Sequence, residues 1–215
     1  MFIACWSAKG GAGTTVVAAS LALLLARRLA GGALLADLAG DAPAVLGLPE
    51  PASPGLAGWL ATGPDVPADA LSRLEIPANS DLRVLPRGSG HLATDRAEVL
   101  AVLLASDPRS VVVDCGSDPS GAALVLAAAA TRSILVTRSC FLSLRRVVSA
   151  ALRPSEIVLL TEPGRALTRL DVEECVGAPV TAEVAVDPSI ARAVDAGLLA
   201  SRLPRGLAKD LARAV

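Results

Sequence analysis

Short runs of β-branched and leucine-rich residues alternate along the whole chain with longer stretches rich in alanine and leucine. The short runs fall at 2–6, 33–37, 82–85, 110–114, 133–137, 156–160 and 180–184, and the longer ones at about 14–30, 92–106, 119–131, 141–151, 168–175 and 188–196. None of the short runs alternates cleanly between apolar and polar positions, as a strand with one wet face would. The pattern therefore predicts an α/β fold, a doubly wound and mostly parallel sheet covered by helices on both faces. The stretch 40–77 is different, dense in Pro and Gly with a helical island at 56–61. It is expected to be a long connection across the rim of the sheet and the least ordered part of the chain, with Trp59 as a packing anchor. No internal repeat or linker separates two cores, so residues 1–215 are expected to form a single domain.

Composition narrows the picture. With 215 residues, 53% of them hydrophobic, and a net charge of -1, the chain can bury a sizeable core and is not globally disordered. A mean hydropathy of +0.55 raises the question of a membrane span. The longest apolar stretches, 16–26 and 122–130, fall short of the roughly 20 residues a bilayer requires. The first six residues lack a basic leader and run into a glycine loop, so they read as a strand rather than a signal peptide, and a cytoplasmic protein is expected. Cys5, Cys115, Cys140 and Cys175 form no C-x-x-C pair and are expected to be reduced core residues. Basic residues are almost all arginine; the lysines are Lys9 and Lys209.

Lys9 lies in the informative segment, Ser7-Ala8-Lys9-Gly10-Gly11-Ala12-Gly13-Thr14-Thr15, between the first strand and the first helix. Glycines there let backbone N–H groups turn inward, and the helix N-terminus behind them adds positive charge, which suits a phosphate. Against the ordinary P-loop pattern G-x-x-x-x-G-K-[ST], Gly13 and Thr15 hold, but Ala8 replaces the first glycine and Thr14 replaces the lysine.

The string Lys-Gly-Gly-x-Gly-x-Thr resembles the deviant Walker A box of the ParA/MinD superfamily, a P-loop NTPase-like family. There the lysine ahead of the glycines reaches the partner's phosphates in a nucleotide-sandwich dimer. The resemblance implies that role for Lys9, nucleotide contacts for Gly10, Gly11, Ala12, Gly13, Thr14 and Thr15, and a Mg²⁺ ligand in Thr15. Leu34-Leu35-Ala36-Asp37 resembles the strand ending in the A′ aspartate, and Val111-Val112-Val113-Asp114-Cys115-Gly116 resembles the Walker B strand. Asp37 and Asp114 are thereby implied at the nucleotide and its Mg²⁺. Ile134-Leu135-Val136-Thr137-Arg138 with Leu142-Ser143-Leu144-Arg145-Arg146 is similar to the strand and helix after switch II. The segment from Asp187-Pro188 to Gly197 resembles the stretch beside the base, which places Pro188 there. These motifs span nearly the whole chain.

Departures from the family pattern shape the functional expectation. Ala39 stands where the A′ segment has its second carboxylate. Asp41, two residues on, is either a substitute catalytic carboxylate or a turn cap before Pro43. Thr161 stands where an adenine-reading Asn is usual. A kept signature lysine with a lost P-loop lysine is similar to the CpaE/TadZ pilus-assembly branch. A missing cationic group is worth about 10³–10⁵ in phosphoryl-transfer rate, so slow or no hydrolysis is expected; binding of ATP or ADP with Mg²⁺, weak or lost, is expected to suffer less, because the glycine loop, Mg²⁺ and a trans Lys9 can still hold phosphates.

The resemblance thus implies a positioning protein, a homodimer through its nucleotide face. It would recruit a pilus-assembly, partition or division partner and through it reach the cell pole or inner membrane face. The alternatives are an active ParA/MinD-type ATPase for chromosome partition or septum-site placement, with Lys9 and Asp41 catalytic, and a nucleotide-free scaffold of the same fold. The near-zero net charge does not favour non-specific DNA binding by Arg138, Arg145, Arg146, Arg202 and Arg205. Residues 204–215 are amphipathic but carry small alanines in place of bulky anchors, so they are expected to dock on the domain rather than insert in a membrane. His91, the sole histidine, is expected on the surface near the start of the helix after strand 82–85.

Overall fold

The computed structural model describes residues 1–63, 66, 67 and 69–215. The first half runs β1 (Phe2–Ser7), α1 (Thr14–Arg28), β2 (Ala33–Asp37), α2 (Ala42–Leu46), α3 (Gly55–Leu60), β3 (Ile76–Pro77) and β4 (Leu82–Leu85). Then follow α4 (Ala97–Ala105), β5 (Ser110–Ser117), α5 (Gly121–Ala129), β6 (Arg132–Arg138) and α6 (Phe141–Val148). The chain closes with β7 (Glu156–Thr161), α7 (Arg169–Val176), β8 (Val180–Ala185), α8 (Pro188–Asp195) and α9 (Arg205–Leu211). Among the described residues the strands form one sheet in the order β3-β4-β2-β5-β1-β6-β7-β8. Every pairing is parallel except β3 with β4. The doubly wound fold expected from the hydrophobic pattern is present.

The central strands are apolar throughout because both their faces are covered. Along β1, Phe2, Ala4 and Trp6 pack with α3, α4, α5, α6 and α7, while Ile3 and Cys5 pack with α1, α2 and α9. The Trp6 indole N–H, buried within the first layer, donates to Ser133 Oγ at 3.0 Å. Trp59 is the anchor expected of it: its side chain is buried in the same layer and Arg96 lies over the ring at 3.9 Å.

Four expectations need correction. First, β8 does alternate: Val180, Ala182 and Val184 are buried while Glu183 and Ala185 are exposed, because this edge strand has one face open beyond α9. A bulge at Thr181 lets Val180 join one core layer and Ala182 and Val184 the other. Second, the stretch 40–77 contains α2, α3, a 3-10 turn at Ser72–Leu74 and β3 as well as connecting chain. Residues 64, 65 and 68 of it lie outside the described residues. Third, α4 begins at Ala97, five residues later than expected. Fourth, Cys5 and Cys115 are core residues, but Cys140 caps α6 and Cys175 is exposed.

Polar ties hold the ends of the sheet opposite the glycine loop. Arg132 makes a fork with Glu156 at 2.7 Å and donates to the carbonyl of Ala214 at 2.8 Å. Arg109 bridges Glu75 and Asp107. The Arg132 guanidinium holds the Glu156 carboxyl below its ordinary value of 4.5. A carboxyl with a depressed folded value adds stability above its unfolded value and loses it as pH falls through the folded one. The melting-temperature gap between the wild type and Glu156→Gln is therefore expected to be constant at neutral pH and to shrink as pH drops below 4.5. A gap that persists in acid would show that the charge is irrelevant.

Candidate functional site

The C-terminal ends of β1, β2, β4 and β5 meet around a cleft of about 770 Å³. Its floor is the glycine loop, Gly10 to Val16, and its walls include Leu38, Ala39, Asp41, Arg87, His91, Leu92, Thr94 and the segment Cys115–Gly121. Gly11 and Gly13 hold φ of +75° and +80°, a region in which a side chain is strained. Gly13 is also the N-cap of α1 and packs so near Leu160 that a Cβ would lie 3.2 Å from its Cδ2. The loop can thus present its N–H groups at the N-terminus of a 15-residue helix, the arrangement that suits phosphate. Thr14, at the position of the ordinary P-loop lysine, is 7% exposed and belongs to the first turn of α1.

Two buried carboxylates lie beneath the loop on adjacent, paired strands, Asp37 opposite Asp114. Asp37 Oδ1 accepts from Gly40 N at 2.7 Å and Oδ2 from Ala42 N at 3.1 Å, so this side chain shapes the turn after β2. Burial pushes its carboxyl up to about 6, with the Gly40 N–H opposing and Asp114 adding to the rise. Asp114 Oδ1 accepts from Gly116 N at 3.0 Å, whereas Oδ2 is buried with no partner among the described residues. Burial raises its carboxyl too, and the nearby Thr15 hydroxyl pulls the other way without reaching hydrogen-bond geometry. An orphaned carboxylate oxygen beside a hydroxyl is an arrangement a hydrated Mg²⁺ would complete, since Mg²⁺ keeps several waters and needs few protein ligands. No cluster of three metal-binding side chains exists among the described residues, so phosphate oxygens and water would supply the other ligands.

The remaining sequence-predicted residues are placed unevenly. Asp41 lines the cleft, exposed; although it is the N-cap of α2, its side chain makes no capping bond, and the next residue but one, Pro43, has no N–H to offer. Lys9 is half-buried and lies outside the cleft lining, and its charge is felt by Cys140 at the N-terminus of α6. Thr161 ends β7 and donates to Val184 O at 3.4 Å, and exposed Pro188 opens α8; neither lines the cleft. His91 is exposed, as expected, but on the cleft rim and six residues ahead of α4.

Sequence reasoning missed Arg87, Ser117, Asp118 and Ser120. Sheet order brings Arg87 in from β4, beyond β2, and nothing in its own segment signals that. Asp118 adopts φ 51°, the one positive φ among non-glycine residues described, and its N–H donates to Ser7 O at 2.7 Å, fastening the segment after β5 to the end of β1. An aspartate tolerates that conformation better than most residues, but the sequence alone gives no reason to look for it there.

No model of a known protein family matches the chain, and no curated protein does. Solved structures do. A ParA family ATPase from Chlorobium tepidum TLS superposes with a TM-score of 0.82 at 20% identity, over 97% of this chain and 94% of that one. The septum site-determining protein MinD from Pyrococcus horikoshii OT3, complexed with Mg-ADP, gives 0.76 at 20% identity over 99% and 96%. A variant of McdA from Cyanothece, in complex with ATP, gives 0.74 at 16% identity over 99% and 94%. By its whole length and strand order, the chain has the fold of the ParA- and MinD-type ATPases.

Proposed function

We propose that this chain is a nucleotide-binding positioning protein of the ParA/MinD superfamily with a degenerate P-loop, closest in motif to the CpaE/TadZ branch. It would be a cytoplasmic dimer that recruits a pilus-assembly, partition or division partner and reaches the pole or inner membrane face through it. The carrying observation is the glycine loop in front of the Thr15–Asp114 pair, whose unpartnered Oδ2 is costly unless something completes it. In this reading the loop N–H groups and the α1 N-terminus hold the phosphates, and Thr15 and Asp114 hold Mg²⁺. Bound Mg²⁺ offsets phosphate charge. Asp37 keeps the 38–42 turn in shape, and Thr161 and Pro188 lie toward the base.

Lys9 suits a role toward a second copy. It has no acidic partner within ion-pair distance among the described residues, and it sits on the flank of the loop away from its own cleft. Beside it a second hollow of about 480 Å³ is lined by Ala8, Asp118, Leu142, Arg145, Arg146 and Ser149. Phe141 and Leu142 next to it are 71% and 57% exposed, apolar area of the kind that marks a protein contact. Thr14 supplies no charge, so slow or absent turnover is expected. No helix among the described residues is long and apolar enough to cross a membrane.

The test is calorimetry with ATP and Mg²⁺, followed by sedimentation. Binding and a ligand-dependent dimer are expected for the wild type, and Lys9→Ala is expected to bind more weakly and to stay monomeric. Absence of any heat with ATP or ADP would leave only the nucleotide-free scaffold. A second reading, a working ATPase, draws on Asp41: its carboxylate has no partner among the described residues and lines the cleft with Ala39. Hydrolysis as fast as that of ordinary ParA-type ATPases, lost on Asp41→Asn, would favour it.

A further inference from the structure

Arg87 has no assigned role, yet its surroundings are built to hold it. Its backbone is clasped by the start of α3: Leu56 N donates to Pro86 O at 2.9 Å and Ala57 N to Arg87 O at 2.8 Å. The two chains approach so closely that a Cβ on Gly88 would lie 2.0 Å from Pro54 O, and one on Gly55 would lie 2.4 Å from Pro86 O. The side chain then runs over Gly40, where a Cβ would lie 3.3 Å from Arg87 Cδ. Its Nη1 donates to Leu38 O at 2.8 Å and reaches Ala39 O at 3.5 Å. Nε and Nη2 have no partner, and no carboxylate lies within ion-pair distance, among the described residues. Asp41 and Asp118 line the same cleft without neutralising it, and Arg87 is the one permanent cation among the described lining residues.

Sheet order gives this charge a direction. The glycine loop rises from β1, in the middle of the sheet, and Thr161 and Pro188 lie to one side at β7 and α8. Arg87 lies to the other side at the end of β4, three strand spacings or about 14 Å from β1. A nucleotide with its base toward β7 and its phosphates on the loop runs its phosphate chain toward β2 and β4. We infer that Arg87 is the in-subunit cation for the terminal phosphate of a nucleoside triphosphate, making the site prefer the triphosphate over the diphosphate. This rests on the nucleotide reading above. Leu38 O and Ala39 O orient the guanidinium, leaving Nε and Nη2 to donate.

The exchange of charges is informative. Where a carboxylate would orient water, this chain has Ala39, and beside it stands a cation. A cation that binds the ground-state phosphate as well as the transition state adds affinity without adding rate. Arg87 therefore suits retention of the triphosphate, with Thr14 contributing none of the charge a lysine would.

Calorimetry on the full chain at fixed Mg²⁺, with a non-hydrolysable imido analogue of ATP and separately with ADP, tests this. The wild type is expected to bind the analogue about 10- to 100-fold more tightly, the range of a hydrogen bond to a charged group. Arg87→Gln keeps a donor for Leu38 O and drops the charge, and is expected to bind both ligands with the affinity of the wild type for ADP. Arg87→Lys keeps the charge and is expected to retain most of the preference. Thermal melts establish that each variant folds. A wild type without preference, an Arg87→Gln protein that keeps it, or one that weakens for both ligands alike would overturn the inference and leave the nucleotide reading standing. A wild type that binds neither ligand would overturn both.

Discussion

Replacing Asp114 by asparagine is expected to make the ligand-free protein more stable and to remove its response to Mg²⁺-nucleotide. Asp114 is fully buried, burial raises its carboxyl, and its Oδ2 meets no donor among the described residues. An unsatisfied buried polar group costs about 1–3 kcal/mol, more when charged. Asparagine is close in shape, keeps an oxygen for the Gly116 N–H, and offers an amide N–H to the Thr15 hydroxyl. At about 2–4 °C per kcal/mol for a chain of this size, a rise of roughly 2–12 °C in the ligand-free melting temperature is expected. Adding Mg²⁺ with ADP raises the wild-type melt by mass action and leaves the variant unmoved. A variant that melts lower than wild type, or still responds, would show that Asp114 serves structure alone. Stability set aside at a site of function is a familiar pattern.

Loss of the α9 contact is the second large effect expected. Leu211 and Ala214 are fully buried and Leu207 nearly so, against Ala182, Val184 and the flank of α1. Arg132 and Arg28 grip the carbonyls of Ala214 and Val215. A buried leucine cut to alanine costs about 2–5 kcal/mol, a large share of the roughly 5–15 kcal/mol that holds a domain together. Leu211→Ala is expected to lower the denaturant midpoint clearly, and removal of 204–215 to leave protein that aggregates on expression. Lipid-vesicle binding is expected to be absent in both wild type and Leu211→Ala, since the apolar face of α9 is already occupied. Vesicle binding by the wild type that vanishes with Leu211→Ala would mean that this helix leaves the domain.

The positions of the parallel strands along the chain were legible because two-sided burial makes the central ones uninterrupted apolar runs; β2 and β4 match residue for residue. β3 is two residues long and half proline, too short for any periodicity. α2 is a five-residue helix with Pro43 in its first turn, in a stretch whose composition reads as loop. Residues 92–96, expected from the sequence to belong to α4, instead place Leu92 and Thr94 on the cleft and carry Arg96 to Trp59. The glycine loop could be found because its chemistry is contiguous. Arg87 and Asp118 could not, because the first depends on β4 lying beside β2 and the second on a backbone conformation. The unpartnered oxygen of Asp114 is a property of packing, invisible in a motif.

Both margins of the sheet are closed to strand addition. At one, β3 offers two residues, and Pro77 has no N–H to give to a neighbour. At the other, β8 bends at its bulge and holds Glu183 in its middle, exposed and paired with Arg169, a charge that would be trapped by an incoming strand. Extension of one copy's sheet by another is therefore disfavoured. Stacking through helices and loops is the favoured route to any filament or higher array, and the order of assembly is then set by faces that a ligand or partner can cover or expose.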